Sequence, residues 1–133
     1  YLASGLVVGT LIGACNLPSY SRFEAHGANV QGVVTGTTCG NHATFAYAFR
    51  VGDKTYTGSG AAGYGNPSCA SLKTGDIVVV RYLVADPAQS LPGDINARLS
   101  NEWHSVVTGA LVLPAAALFI LRRRWKRRAE SRA

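Results

Sequence analysis

The sequence contains no methionine, position 1 included, so Tyr1 is expected to follow further residues of the gene product. Patterns that mark common catalytic sites are missing as well. There is no G-x-S-x-G nucleophile elbow and no H-E-x-x-H zinc helix, and the C-x-x-C-H of covalent haem attachment is absent. No long amphipathic helix can be traced between residues 20 and 102. Net charge is also absent from that middle portion. It holds six basic and six acidic residues, whereas residues 122–133 hold seven basic and one acidic and account for the whole net charge of +6. Charge gathered on one terminal flank argues against nucleic acid as a partner and makes anionic lipid headgroups the natural counter-charge.

What the chain does have is two long uncharged runs. Residues 105–121, SVVTGALVLPAAALFIL, are followed at once by RRRWKRR. Seventeen uncharged residues is the lower limit for a helix crossing the hydrocarbon core of a bilayer. The Lys and Arg beyond them mark the cytoplasmic side. Residues 1–17 form a second run ending at Pro18. We take it as an uncleaved transmembrane helix, although Ile12-Gly13-Ala14-Cys15 also matches a lipoprotein cleavage box that would leave Cys15 lipidated. Gly5, Gly9 and Gly13 recur every fourth residue and would share one helix face on which another helix can pack closely. Gly109, Ala110 and residues 115–117 of the second run are small enough to meet them, and Pro114 is expected to kink that helix. Trp103 and Trp125 fall near the two ends of the second run, where indole rings favour the membrane interface.

Between the runs the pattern is β. Residues 28–35 read as a first strand. Residues 44–51 alternate, with Phe45, Tyr47, Phe49 and Val51 on one face and Ala46, Ala48 and Arg50 on the other. Gly52-Asp53-Lys54 supplies a turn, and residues 55–57 begin a return strand. Residues 77–83, IVVVRYL, are the strongest strand of all, bounded by turn signals at residues 73–76 and at Asp86-Pro87. Four or five short strands curled over one aromatic face predict a small antiparallel barrel or sandwich.

YAFRVGDKTYTGS at residues 47–59 and LKTGDIVVVRY at residues 72–82, with Asp86-Pro87 and Ser90-Leu91 after them, resemble the bacterial membrane-anchored family catalogued as a domain of unknown function (3592). The resemblance covers roughly residues 30–91 and the flanking helices. It implies an exported β domain held between two membrane helices, and no reaction, since that family offers no catalytic residues to carry over.

Few residues point to chemistry. Residues 58–63, GSGAAG, form a literal G-x-G-x-x-G after a strand, but Tyr64-Gly65-Asn66-Pro67 follows where a dinucleotide site needs a helix. A flexible loop is the expectation. Cys39 and Cys69 lie in loop-like sequence. In an oxidising compartment such a pair becomes a disulfide closing a loop of about thirty residues. The competing reading is a metal site built from Cys39, His42 and Cys69, with His26 as a fourth ligand, though no second close ligand pair completes a zinc pattern. His104, beside Trp103, reads as a polar residue at a helix entrance, or as a ligand to a pigment or haem in a larger assembly. The turn aspartates Asp53, Asp76 and Asp86 are explained by local hydrogen bonding.

The expectation is thus two transmembrane helices flanking a small antiparallel β barrel or sandwich: residues 1–19, a β domain over 20–102, a second helix over 103–122 and a basic tail over 123–133. Anchoring falls to Trp103, Arg122, Arg123, Arg124, Trp125, Lys126, Arg127 and Arg128. Both termini are cytoplasmic in the bacterial inner membrane and the β domain is periplasmic. No cofactor or catalytic centre is expected. The expected role is that of an accessory or scaffolding subunit contacting membrane lipids and other membrane proteins; the alternative is a ligand- or envelope-sensing module.

Overall fold

Alternation in residues 44–51 sends Phe45, Tyr47 and Phe49 to one side of a strand, and the fold is built around that side. The computed structural model describes residues 16–130. They divide into a β unit, residues 18–100, and a second unit made of the chain before Pro18 and after Ser100.

In the β unit a short helix α1 (Leu17–His26) leads into five strands: β1 (Gly27–Thr38), β2 (Thr44–Val51), β3 (Lys54–Ala61), β4 (Ile77–Leu83) and β5 (Asp86–Pro92). All pairings are antiparallel, in the order β3-β2-β1-β4-β5. β1 is bulged between Val34 and Gly36 opposite β2, and a bulge bends and twists a strand. The sheet curls until its two outer strands, β3 and β5, pack against each other without being hydrogen-bonded neighbours. The result is a nearly closed five-stranded barrel.

Two glycines allow that seam. A Cβ on Gly58 would lie 2.5 Å from the Tyr47 hydroxyl and 2.8 Å from Ser90 Oγ, and one on Gly60 would lie 2.7 Å from Pro92 Cδ. Here the expectation of a flexible loop over residues 58–63 is corrected. Residues 58–61 belong to β3, and the glycines serve the approach of β5. Locally, GSGA has no strand signal; its reason lies some thirty residues further along the chain.

The interior is occupied by Val34, Phe45, Tyr47, Phe49, Leu72, Val78 and Val80. Phe49 stacks on Tyr56 and on Tyr82, with ring centroids 5.7 and 5.9 Å apart. Burying each such side chain contributes about 1.5–3 kcal/mol relative to leaving it in water. Phe23, Leu83 and Ile95 form a second buried cluster, with Tyr20, Leu91 and Leu99 around it.

Three further elements differ from the sequence reading. Residues 20–26 are helical, because Pro18 falls in the first turn of α1, where a missing N–H costs nothing. The end of α1 is satisfied by Arg81, whose guanidinium donates to the carbonyls of Phe23 (2.7 Å) and Glu24 (2.9 Å) and to Asn29 Oδ1 (3.0 Å). Asp86-Pro87 opens β5 instead of closing a turn. Pro87 is tolerated there because β5 lies at the end of the sheet order, where ladder donors are not all required.

The third difference is the long helix α2 (Ile95–Glu130), which starts eight residues before the expected position 103. The Asp94 carboxylate caps it by accepting the Ala97 N–H at 3.1 Å, the usual work of an N-cap side chain. Arg98 then fixes the first turn. It is 6% exposed, donates to the carbonyls of Pro92 and Ala61, and lies over the Tyr64 ring at 4.2 Å.

α2 contains 36 residues and is about 54 Å long at a rise of about 1.5 Å per residue. It runs through Pro114 as helix. It carries one candidate membrane span, within Ile95–Trp125, with a mean hydropathy of 2.0 over its most apolar window. Leu111, Val112, Leu113, Leu118, Phe119, Ile120 and Leu121 are all more than half exposed on it, an apolar surface long enough to cross a bilayer and one that water does not favour. The expected first span, with Gly5, Gly9, Gly13 and Cys15, lies outside the described residues apart from its last few positions, which open α1.

Gly60→Ala is expected to destabilise the full chain by about 1–3 kcal/mol through overpacking of the β3–β5 seam. Urea unfolding in mild detergent, followed by near-ultraviolet circular dichroism, measures this; an unchanged midpoint would refute the role given to Gly60.

Candidate functional site

The strands present two surfaces, an interior and an outer face, and they differ in what they can bind. Inside, Tyr47 is wholly buried, with the Phe45 and Phe49 rings 5.8 and 6.1 Å away, centroid to centroid. Its hydroxyl shares a hydrogen bond with Ser90 Oγ at 3.0 Å, and this links β2 to β5. Burial raises the Tyr47 phenol above its ordinary pKa, against smaller downward effects of the Ser90 hydrogen bond and the Arg98 charge. The middle of the barrel is therefore side chain, with one polar pair stitched across it.

The loop after β3 is equally structural. Gly63, Tyr64 and Gly65 all have positive φ, at 88°, 55° and 88°. The Tyr64 carbonyl accepts the Asp94 N–H, and Asn66 pairs with the Val79 backbone as a short piece of strand would, donating at 2.9 Å and accepting at 2.8 Å. The third glycine of the G-x-G-x-x-G thus belongs to a turn against β4 and the start of α2.

Cys39 and Cys69 are joined in a disulfide, with Cα atoms 5.6 Å apart and a sequence separation of 30. It ties the β1–β2 turn to the short 3-10 helix Cys69–Ser71. The thiols that a metal site with His42 and His26 would need are consumed in that bond. Among the described residues, no group of three or more His, Cys, Asp or Glu is placed to hold a metal ion.

Outside, the sheet is apolar where it need not be. Val33, Ile77 and Val79 are 41%, 59% and 40% exposed. Val33 is in register with Ala48 on one side and Ile77 on the other, forming an apolar row across β2, β1 and β4, and Gln31 is in register with Val79 in the next row. Beside them Gln31, Val33, Ala48, Phe49, Arg50 and Thr55 line a shallow depression of about 350 Å³.

On α2, Trp103 and Trp125 are 56% and 74% exposed. Arg123 lies over the Phe119 ring at 5.1 Å. Arg122 and Arg124 are exposed beside it, as is Arg127 one turn further on.

Sequence reasoning missed two features. Arg98 is one of six basic residues balanced by six acidic ones, and nothing local marks it as buried. The apolar outer face had a signal: Ile77-Val78-Val79-Val80 is an unbroken apolar run, and in an antiparallel strand two of its four side chains must face away from the core. Comparison with family models, with curated proteins and with solved structures returns no match.

Two outcomes follow from this geometry. Because the folded-state pKa of Tyr47 is raised, its contribution to stability is complete below about pH 10 and is lost as pH rises through the folded value. Unfolding free energy should fall more steeply above that pH in the wild type than in Tyr47→Phe; parallel curves would contradict it. The double variant Cys39→Ser/Cys69→Ser should lose about 3.6 kcal/mol, the loop-closure value for some thirty residues, and urea unfolding measures that loss.

Proposed function

We propose that this chain is a non-catalytic accessory or scaffolding subunit of a bacterial membrane assembly, docking to a neighbouring protein through the outer face of its β barrel. The observation that carries the reading is the apolar row of Ala48, Val33 and Ile77 across the outer face, with Val79 exposed in the row beside it. Apolar side chains gathered on one face of a small sheet mark a contact surface more often than they decorate a free one. The filled interior supports it, because a ligand-binding barrel needs a cavity within. A ligand- or envelope-sensing module is the second reading, and it is left with the shallow depression beside Arg50.

In this reading α2 spans the inner membrane with its basic end in the cytoplasm, following the distribution of Lys and Arg. Residues 1–17 supply the second span, so both termini are cytoplasmic and the β unit is periplasmic. The disulfide fits that oxidising compartment. The resemblance to the membrane-anchored family of unknown function points the same way, toward an exported domain without a reaction of its own.

The test is isolation of the full chain from native membranes in mild detergent. The wild type should migrate with a stoichiometric protein partner. Val33→Glu/Ile77→Lys, opposite charges at facing positions, should release that partner while leaving the unfolding free energy within about 1 kcal/mol, since both side chains face outward. A wild-type chain that migrates alone, or a partner indifferent to the two charges, would contradict the proposal.

A further inference from the structure

The basic end of α2 is more than a topology signal. Phe119, Ile120, Arg123, Arg124 and Arg127 together line a depression of about 240 Å³. Phe119, Arg123 and Arg127 follow one another at four-residue spacing, as do Ile120 and Arg124, so the two rows run along one side of the helix. The Arg123 guanidinium carbon lies over the Phe119 ring, 5.1 Å from its centroid. A guanidinium carries in-plane N–H donors that match phosphate oxygens two at a time, and three such groups border this depression. Below the guanidinium groups the lining is apolar and continues the uncharged run that ends at Leu121. Phosphate-binding donors directly above a hydrocarbon-compatible floor describe the two halves of a phospholipid.

We propose that this depression is a site for an anionic phospholipid, with the headgroup phosphate diester held by Arg123, Arg124 and Arg127 and the start of an acyl chain laid against Phe119 and Ile120. This rests on the reading of α2 as a membrane span. It differs from general attraction between a basic tail and an anionic surface because it assigns selectivity to particular arginines. Arg122 carries the same charge on the same flank and is not among the lining residues.

The full chain, equilibrated with vesicles of equimolar phosphatidylglycerol and phosphatidylcholine and then re-isolated, would be assayed for retained lipid by mass spectrometry. The wild type should retain phosphatidylglycerol in clear preference. Arg123→Gln/Arg127→Gln should lower that preference by roughly tenfold. Arg122→Gln/Arg132→Gln, which removes the same charge, should leave it nearly intact. Arg123→Lys/Arg127→Lys, which keeps charge without the planar fork, should fall between them. Equal losses in the two glutamine pairs would mean diffuse attraction and would overturn the site. Displacement of the lipid by excess inorganic phosphate would overturn it too, by showing a site for free phosphate. Alkaline carbonate extraction of the same vesicles separates the underlying reading: a chain that is washed out is not membrane-spanning, and the site falls with it. A chain that stays in without headgroup preference sinks the site alone.

Discussion

The β unit depends on how closely β3 and β5 approach. Gly58 and Gly60 present no side chains to that seam, so Ser90 and Pro92 of β5 can lie directly against β3. Only with the sheet curled this far does the Tyr47 hydroxyl reach Ser90 across the interior. Closure fills the middle of the barrel with Phe45, Tyr47, Phe49 and the valines of β1 and β4. A sheet of five strands with one apolar face would otherwise leave that face to water. The same closure draws in the start of α2, because the carbonyl of Pro92, at the end of β5, is the principal acceptor for Arg98. Seam, core and helix start are successive results of one close contact.

Filling the interior also decides what kind of work the β unit can do. Among the described residues, the one strongly buried phenol, that of Tyr47, is engaged in holding strands together, and the paired cysteines hold two turns. What remains for recognition is the outer face, where β1 and β4 carry Val33, Ile77 and Val79 toward solvent. Docking to another protein through that face is the role we propose. α2, separately, has an apolar surface long enough to cross a bilayer and an arginine-rich end.

Residues 44–51 and 77–83 were legible to the residue, since alternation and β-branched runs are local properties. The thiol pair of Cys39 and Cys69 was legible as a disulfide candidate from its loop context. Other elements were not, and each for a reason outside its own segment. Residues 58–61 read as loop because their glycines answer to β5. Asp86-Pro87 reads as a turn signal, because a proline at that point fits a strand only where the strand lies at the end of the sheet order. Pro18 reads equally well as the end of an apolar run or the first turn of a helix, and the packing of Phe23 against Leu83 and Ile95 settles it. Arg98 looked like surface charge, for the carbonyls of Pro92 and Ala61 that surround it are assembled only by the fold. The outer apolar face could have been read from residues 77–80, whose run is too uniformly apolar for a strand with one wet face.

The most direct test of an exported, filled barrel held by a membrane-spanning α2 is the sidedness of two engineered thiols in intact cells. With Cys15 replaced by serine, Thr57→Cys on the outward side of β3 and Ser131→Cys beyond α2 would each be exposed to a membrane-impermeant thiol reagent. The account requires Thr57→Cys to react in intact spheroplasts and Ser131→Cys to react only after the membrane is permeabilised. Equal labelling of both positions without permeabilisation, or protection of Thr57→Cys until lysis, would contradict it.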